Sequence, residues 1–320
     1  MATCDPTVFY RDRRIFITGG TGFFGRSILS MLKRGFLPDT EFVLLSRDPK
    51  RFENSVPELA KLPKVRFVVG DVRDFPFPAE HFDFVIHGAA PALTSLPPGE
   101  QRSIILDGGR RVLEFAERCG AERVMMISSG AVYGVQPPEL EKMPEDFPCR
   151  PVTEYGIAKL EAERMFLSSG IPVAIPRCFA FTGPYLNRNI HFAIGNFIRD
   201  ALAGGPVVVK GDGTPLRSYL YADDLVEWLF ALLAAAEENS VCNVGSDRAL
   251  SIIELAHAVC RALGKTVPVK VSCAPSPGAA PARYVPDIRR AGTLGLRVKV
   301  GLEEAIRRSA GVKSRSGEAS

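Results

Sequence analysis

Short apolar runs rich in β-branched residues alternate along this chain with longer runs of helical period. "RIFIT" (14–18) has the pattern of a buried strand, and "GRSILSMLKRG" (25–35) that of a helix with Gly35 near its stop. "EFVLLS" (41–46), "VRFVVGD" (65–71), "FDFVIHGA" (82–89) and "RVMMISS" (123–129) add four strands. Strands that are apolar at nearly every position, with helices between them, are covered on both faces. The pattern therefore predicts an α/β fold: a Rossmann-type, doubly wound parallel sheet. "EYGIAKLEAERMFLSSG" (154–170) predicts a helix with Tyr155, Ala158, Ala162 and Met165 on one face, and "IPVAIPR" (171–177) resumes the strand pattern.

After Arg177 the rhythm changes. A Gly/Pro/Asn-rich section, "FTGPYLNRN", leads to a helix near 193–203, a short strand "PVVVK" (206–210) and a turn "GDGTP". A helix near 222–236, a short "CNVG", a helix near 251–263, a strand "VPVKV" (267–271) and a last helix near 301–309 follow. The expected division is a first domain over 1–177 and a smaller C-terminal α/β domain over 178–310. The boundary is soft, because later segments return to the first domain. The polar tail 311–320 has the composition of a disordered segment.

With 320 residues, 46% of them hydrophobic and 24% charged, the chain can bury a substantial core. The net charge of +4 is spread out, and no basic run is dense enough for nucleic-acid binding. Anionic small molecules remain open as partners. The seven cysteines are odd in number and form no CxxC pair, which argues against a disulfide framework or a zinc site and fits a reducing cytoplasm. No signal-peptide pattern or membrane-length apolar run is present, so neither membrane nor nucleic acid is an expected partner.

The candidate chemistry begins at "ITGGTGFFG". Gly19, Gly22 and Gly25 have the spacing GxxGxxG directly after a strand, and Phe23 and Phe24 open the following helix. Glycines permit the tight turn and the close approach of a pyrophosphate to backbone and helix N-terminus, so 1–177 is expected to bind a dinucleotide. The second strand ends in Ser46 and Arg47 where an NAD-selective site would carry an acid. A guanidinium suits a 2′-phosphate, which favours NADP over NAD; stacking of Arg47 on the adenine, or simple solvation, is the competing reading. Asp71, followed by Val72, ends the third strand and could accept from the adenine amino group or cap a helix. Ala89 and Ala90, in "HGAAPA" (87–92), are small enough to let the cofactor pass, and His87 reads as a packed residue.

Tyr155 and Lys159, at i and i+4, face one side of a helix. A lysine ammonium beside the phenol favours phenolate, and Ser129 at a strand end can hold the same substrate oxygen. Such a tyrosine can exchange a proton with a sugar hydroxyl or ketone while a nicotinamide exchanges hydride. Ser128 reads as structural or as a neighbour of the nicotinamide.

These segments closely resemble the extended short-chain dehydrogenase/reductases of the nucleotide-sugar epimerase/dehydratase group. The shared segments are TGGTGFFG (18–25), GDV (70–72), HGAA (87–90), SSGAVYG (128–134), YGIAK (155–159), RCFAFTGP (177–184), GDGTPLRSYLYADDL (211–225), NVGS (243–246) and RYVPD (283–287). The resemblance implies a catalytic triad of Ser129, Tyr155 and Lys159, the last two also touching the cofactor. It also implies a nucleoside-diphosphate sugar bound between the cofactor domain and the smaller C-terminal part, with Arg217 matching a family arginine that contacts the diphosphate and Arg283 a similar candidate, and a homodimer formed by two helices per subunit, one carrying Tyr155.

Three departures shape the expected activity. Gly130 and Ala131 stand where related 4,6-dehydratases carry Asp-Glu, so elimination of water is disfavoured. Ala180 replaces an asparagine that touches the sugar nucleotide, leaving Asn187, His191 or Asn196 as substitutes. Ile105 replaces a helical asparagine of the proton relay. The first expectation is a nucleotide-sugar 4-epimerase acting through a transient 4-keto sugar. An NADPH-dependent 4-ketoreductase is the alternative, and a non-catalytic dinucleotide-binding protein comes behind both. Serine-hydrolase chemistry is a poor fit, because Ser129 lies in no GxSxG.

Overall fold

The computed structural model describes residues 5–90, 96–97, 99–190, 192–278 and 280–312. Cys4, His191, the "PA" of "HGAAPA" and the expected tail from 313 onward lie outside the described residues. The first half of the chain forms β1 (Arg14–Thr18), β2 (Glu41–Ser46), β3 (Val65–Val69), β4 (Phe84–His87), β5 (Arg123–Met126), β6 (Ser128–Ser129) and β7 (Val173–Cys178). The second half adds β8 (Phe181–Thr182), β9 (Val207–Val209), β10 (Leu216–Arg217), β11 (Leu220–Tyr221), β12 (Ser240–Val244), β13 (Leu250–Ser251), β14 (Val269–Val271) and β15 (Arg283–Tyr284). The central sheet runs β12-β7-β5-β4-β1-β2-β3, with β6 paired to β7.

Strand order reverses around β1, which lies between β2 and β4, both parallel to it. Such a switch point opens a crevice at the C-terminal ends of the strands, where a ligand can reach the backbone. The near-continuous apolar strands have the expected cause. Ile15 and Ile17 belong to the core on one side of the sheet, and Phe16, between them, to the core on the other. Leu225, Trp228 and Leu229, from the helix Ala222–Ala234, fill the first core. Val112 and Phe115 of the helix Glu100–Arg118, with Ala158, Ala162 and Phe166 of the helix Glu154–Leu167, fill the second. Full burial of a side chain such as Phe115 stabilises the fold by about 1.5–3 kcal/mol. The result is an α/β fold of Rossmann type.

Three elements differ from the pattern. The helix Glu100–Arg118 gives little signal in sequence because Gly108 and Gly109 interrupt it. A Cβ at these positions would stand 2.8 Å from Val72 Cγ1 and 2.9 Å from Met165 Cε, so the glycines let this helix pack closely. "RVMMISS" reads as one strand but breaks at Ile127, whose N–H donates to the His87 carbonyl. "VRFVV" reads as buried, yet β3 is the sheet edge and Val69 is 63% exposed. Past residue 177 the chain contributes to both bodies: β12 and the helix Ala222–Ala234 join the main sheet and its core. The helices Ala193–Leu202, Ile252–Ala262 and Leu302–Ala310 build a separate small core with β9. Among the described residues no helix is long and apolar enough to cross a membrane.

Candidate active site

The loop after β1 is shaped by what its glycines exclude. Gly19 has φ +76°, and a Cβ there would lie 2.6 Å from the Gly88 carbonyl oxygen. A Cβ on Gly25 would lie 2.1 Å from the Gly20 carbonyl oxygen. Gly22 differs: its Cβ would meet only the Gly19 oxygen, at 3.4 Å, so this side of the loop is open. Gly22 is also the N-cap of the helix Phe23–Lys33 and has no side chain to bond the first-turn amides. An uncapped helix start with the positive dipole end fits a pyrophosphate. The residues present therefore suit a dinucleotide. The backbones of Phe23 and Phe24 form the helix's first turn, while the Phe24 ring packs 5.6 Å from Phe181 of β8. Arg26 ties the loop down: its Nε donates to the Thr21 carbonyl at 2.9 Å, and its guanidinium lies over the Phe52 ring.

At the end of β2, Ser46 is buried and its hydroxyl accepts from the Asp48 N–H at 3.2 Å. Arg47 next to it is exposed. Asp71 caps no helix. Arg73 takes its carboxylate, donating from Nε at 2.7 Å and from its backbone N–H at 3.1 Å. Arg73, with a smaller contribution from Arg47, holds the Asp71 carboxyl below its usual range. Val72 is buried beneath the helix Glu100–Arg118. Ala89 is fixed by its N–H to Thr18 Oγ1 at 3.2 Å, and both Ala89 and Ala90 are half-buried. His87 is buried, bonded through Nδ1 to Thr18 Oγ1 at 2.8 Å and stacked on Phe166. Burial pushes its pKa down to about 3, so it stays neutral.

The three candidate catalytic side chains come from two elements. Ser129 ends β6 and caps the short 3₁₀ turn Gly130–Tyr133, its hydroxyl accepting from the Ala131 N–H at 3.2 Å. Tyr155 and Lys159 lie one turn apart on the helix Glu154–Leu167, which Thr153 caps through the Gly156 N–H. Lys159 is 2% exposed and donates to the Ile127 carbonyl at 2.9 Å, its Nζ 5.9 Å from the Tyr155 ring centre. The protein groups do not lower the Tyr155 pKa as the spacing led one to expect. Burial, aided by Cys178, pushes it up to about 12, with only the Ser129 hydroxyl pulling the other way. Burial likewise pushes Lys159 down to about 8. Desolvation opposes charge on both groups here, and it outweighs their closeness in sequence.

The sequence reading did not single out Tyr284, which stands on the other side of Ser129. The Ser129 hydroxyl bonds to its phenol, which also donates to the Cys178 carbonyl at 3.5 Å. Its ring packs 4.6 Å from Phe179. These two rings fill the space beside Gly130: a Cβ there would lie 2.8 Å from both Phe179 Cζ and the Tyr284 hydroxyl. Arg217 pairs with Tyr284 across β10 and β15 and lies over its ring. Arg283 pairs with Leu216, so strand alternation puts it on the opposite face of this small sheet. The structure thus separates two arginines that the sequence assigned one task. Asn196 is turned to Arg199, whose Nη1 donates to its Oδ1 at 3.4 Å, and Asn187 accepts from the Asn189 N–H. Ile105 is 1% exposed within the second core.

A doubly wound sheet, a glycine cradle at its switch point and a Ser–Tyr–Lys cluster beside it define a class. The chain belongs to the NAD dependent epimerase/dehydratase family, whose model matches residues 15–245. It is 26% identical, over 94% of its length, to a trifunctional UDP-glucose 4,6-dehydratase/UDP-4-keto-6-deoxy-D-glucose 3,5-epimerase/UDP-4-keto-L-rhamnose-reductase of Arabidopsis thaliana, and it spans 47% of that protein. It is 27% identical to UDP-glucuronic acid decarboxylase 3 of the same plant, covering 95% of this chain and 88% of the relative. Among solved structures, the UDP-N-acetylglucosamine 4-epimerase of Methanobrevibacter ruminantium M1 superposes with a TM-score of 0.82 at 22% identity, covering 94% of this chain and 98% of that one.

Proposed function

We propose that this protein is a nucleotide-sugar 4-epimerase. The observation that carries the reading is the surroundings of Gly130. Two aromatic rings, of Phe179 and Tyr284, fill the space beside Gly130 and leave no room for a side chain there, and among the described residues the hydroxyls of Ser129, Tyr155 and Tyr284 come together. Such a site suits reversible oxidation at a carbinol carbon, and neither Gly130 nor Ala131 can act as a base for elimination. A bound nicotinamide would supply the hydride acceptor, held at the pyrophosphate by the Gly19–Gly25 loop. Tyr155 takes the C4 hydroxyl proton and later returns it, and Ser129 holds the same oxygen. An oxidised, positively charged nicotinamide is the charge that would draw the Tyr155 pKa down towards working pH, beyond what the Ser129 hydroxyl supplies. Arg217, above the Tyr284 ring, is the diphosphate contact, and a second chain pairs through the helices 100–118 and 154–167. Light scattering should give twice the monomer mass; a monomer would remove the dimer from this reading.

The test is turnover of UDP- and dTDP-sugars without added reductant. The 4-epimer should accumulate with no net change in nicotinamide absorbance. Release of carbon dioxide from UDP-glucuronic acid, or of water from a UDP-hexose, would overturn the assignment.

Arg47 supports a second reading, an NADPH-dependent 4-ketoreductase, and the finer cofactor preference is NADP. Ser46 stands at the end of β2 in place of an acid that would repel a 2′-phosphate, the next carboxylate, Asp48, is taken up capping the helix Pro49–Ser55, and Asp71 is already engaged by Arg73. Arg47→Ser should weaken NADP(H) about tenfold or more, the worth of one charge-assisted hydrogen bond, and leave NAD(H) nearly unchanged in titration calorimetry. Equal or tighter binding of NAD(H) by the unaltered protein would refute the preference.

A further inference from the structure

The helix that carries Tyr155 and Lys159 presents a third group on the same face one turn further on, Glu163. It is a buried carboxylate, its side chain 2% exposed. Its Oε1 accepts from the Ser128 hydroxyl at 2.5 Å. Arg177 donates to it from Nη2 at 2.7 Å and from Nε at 3.1 Å, and the Arg177 side chain is itself only 8% exposed. Ser128 pairs with Arg177, and Ser129 with Cys178, across β6 and β7. One carboxylate thus joins the helix of Tyr155 to the two-residue strand that ends in Ser129.

The connection continues. Arg177 donates from Nη1 to the Glu145 carbonyl at 3.2 Å and lies 4.8 Å over the Tyr133 ring. Tyr133 donates to Asn243 Oδ1 at 2.7 Å, and Asn243 Nδ2 donates to the carbonyls of Met143 and Asp287. Asp287 lies just past β15, the strand of Tyr284. A buried ion pair is a poor source of net stability, since desolvation of both charges offsets their attraction; what it supplies is a defined geometry.

We propose that Glu163 and Arg177 are positioning residues: they lock the Ser128–Ser129 strand against the catalytic helix and so set the distance between the Ser129 and Tyr155 hydroxyls. The proposal rests on the Ser129–Tyr155–Lys159 reading above. β6 is two residues long and pairs only with β7 among the described residues, so apart from the Ser129–Tyr155 hydroxyl contact itself, the hydrogen bond from Ser128 is what ties its side chains to that helix. Glu163 also faces Lys159 electrostatically. The charged and titratable groups around Lys159 are Tyr155 and Glu163 on its own helix, His87 on β4 and Cys178 on β7. Arg177 and Cys149 face Glu163 itself, and Arg164 faces Cys149 in turn. Burial already lowers the Lys159 pKa, and Glu163 opposes that. Removing the carboxylate lowers it again, so Lys159 loses its proton at lower pH.

Two variants separate the roles. Ser128→Ala removes the tie and keeps the ion pair; Glu163→Gln keeps a hydrogen-bonding group of the same shape and removes the charge. Both should lower kcat by roughly tenfold or more with KM changed less than about twofold, as loss of alignment does. The alkaline limb of the kcat profile should move down by about half a pH unit or more in Glu163→Gln and stay in place in Ser128→Ala. Unchanged kcat in a folded Ser128→Ala protein overturns the proposal, and so does an unmoved limb in a folded Glu163→Gln protein. If Glu163→Gln does not fold, Ser128→Ala alone decides. If the unaltered protein turns over no sugar nucleotide, the functional reading fails, and hydrogen exchange at the Ala131 amide, the donor to Ser129 Oγ, decides the inference. Exchange about tenfold faster in Ser128→Ala at an unchanged unfolding midpoint supports it; equal exchange overturns it.

Discussion

Tyr155→Phe should reduce turnover of the nucleotide-sugar substrate by about three orders of magnitude, the middle of the range that a positioned acid–base group contributes. The ring remains, so packing against the core of the helices 100–118 and 154–167 is kept. The phenol oxygen is the atom removed, and with it the group beside the Ser129 hydroxyl that the proposed reaction uses to accept the carbinol proton. Cofactor affinity should change less than about threefold, because the pyrophosphate contacts proposed above lie at the glycine loop, on another element. Stopped-flow turnover and titration calorimetry on the same preparation read both quantities. Retention of more than a tenth of the activity would mean that another group moves the proton. Tyr284 would be the first to examine, since its hydroxyl also meets Ser129.

The second large effect belongs to Gly25. Its missing side chain is a matter of contact: a Cβ would lie 2.1 Å from the Gly20 carbonyl oxygen and 2.3 Å from Gly20 Cα. Backbone must move to admit even a methyl group. Overpacking costs of about 1–3 kcal/mol, concentrated at the phosphate cradle, correspond to roughly a 10- to 100-fold loss of dinucleotide affinity in Gly25→Ala. The unfolding midpoint should fall by several degrees, measured by calorimetry. Gly205→Ala is the control. Nothing lies within 4 Å of its Cβ and its φ is not in the left-handed region, so neither affinity nor midpoint should change. Equal effects in both variants would show that the contact at Gly25 relaxes at no cost.

Much of the site could be read from residue order because its parts are local. The cradle is one turn between a strand and a helix, and Tyr155 and Lys159 meet through helical spacing alone. Tyr284 could not be reached this way. It lies 155 positions after Ser129, and long-range pairing, of β15 with β10 and of Arg283 and Pro286 with Gln136 and Met143, brings its phenol there. Glu163 had a signal, the next turn on the face of Tyr155 and Lys159, but its partner Arg177 comes from another strand. The paired arginines show the reverse. As sequence, Arg217 and Arg283 read alike, and strand register alone puts one beside Tyr284 and the other on the far face. The tyrosine pKa shows the same limit. Spacing reports that a cation is near, whereas the shift depends on how much water the fold removes, and here that removal prevails.

Apolar period and glycine spacing were therefore enough for a parallel sheet covered on both faces, a tight glycine turn into a helix after its first strand and a tyrosine–lysine pair on one helix face, since each depends on contacts within a few residues or on the sheet's burial as a whole. Packing decided the rest. The helix Glu100–Arg118 exists in spite of its two glycines because neighbouring side chains close on them. Gly130 must be glycine because Phe179 and Tyr284, both remote in sequence, occupy the space beside it. Which hydroxyls surround the reacting carbon, and how strongly each holds its proton, are properties of groups gathered from distant strands. No local pattern carries that information, because close packing and desolvation act on whatever the finished fold brings into contact.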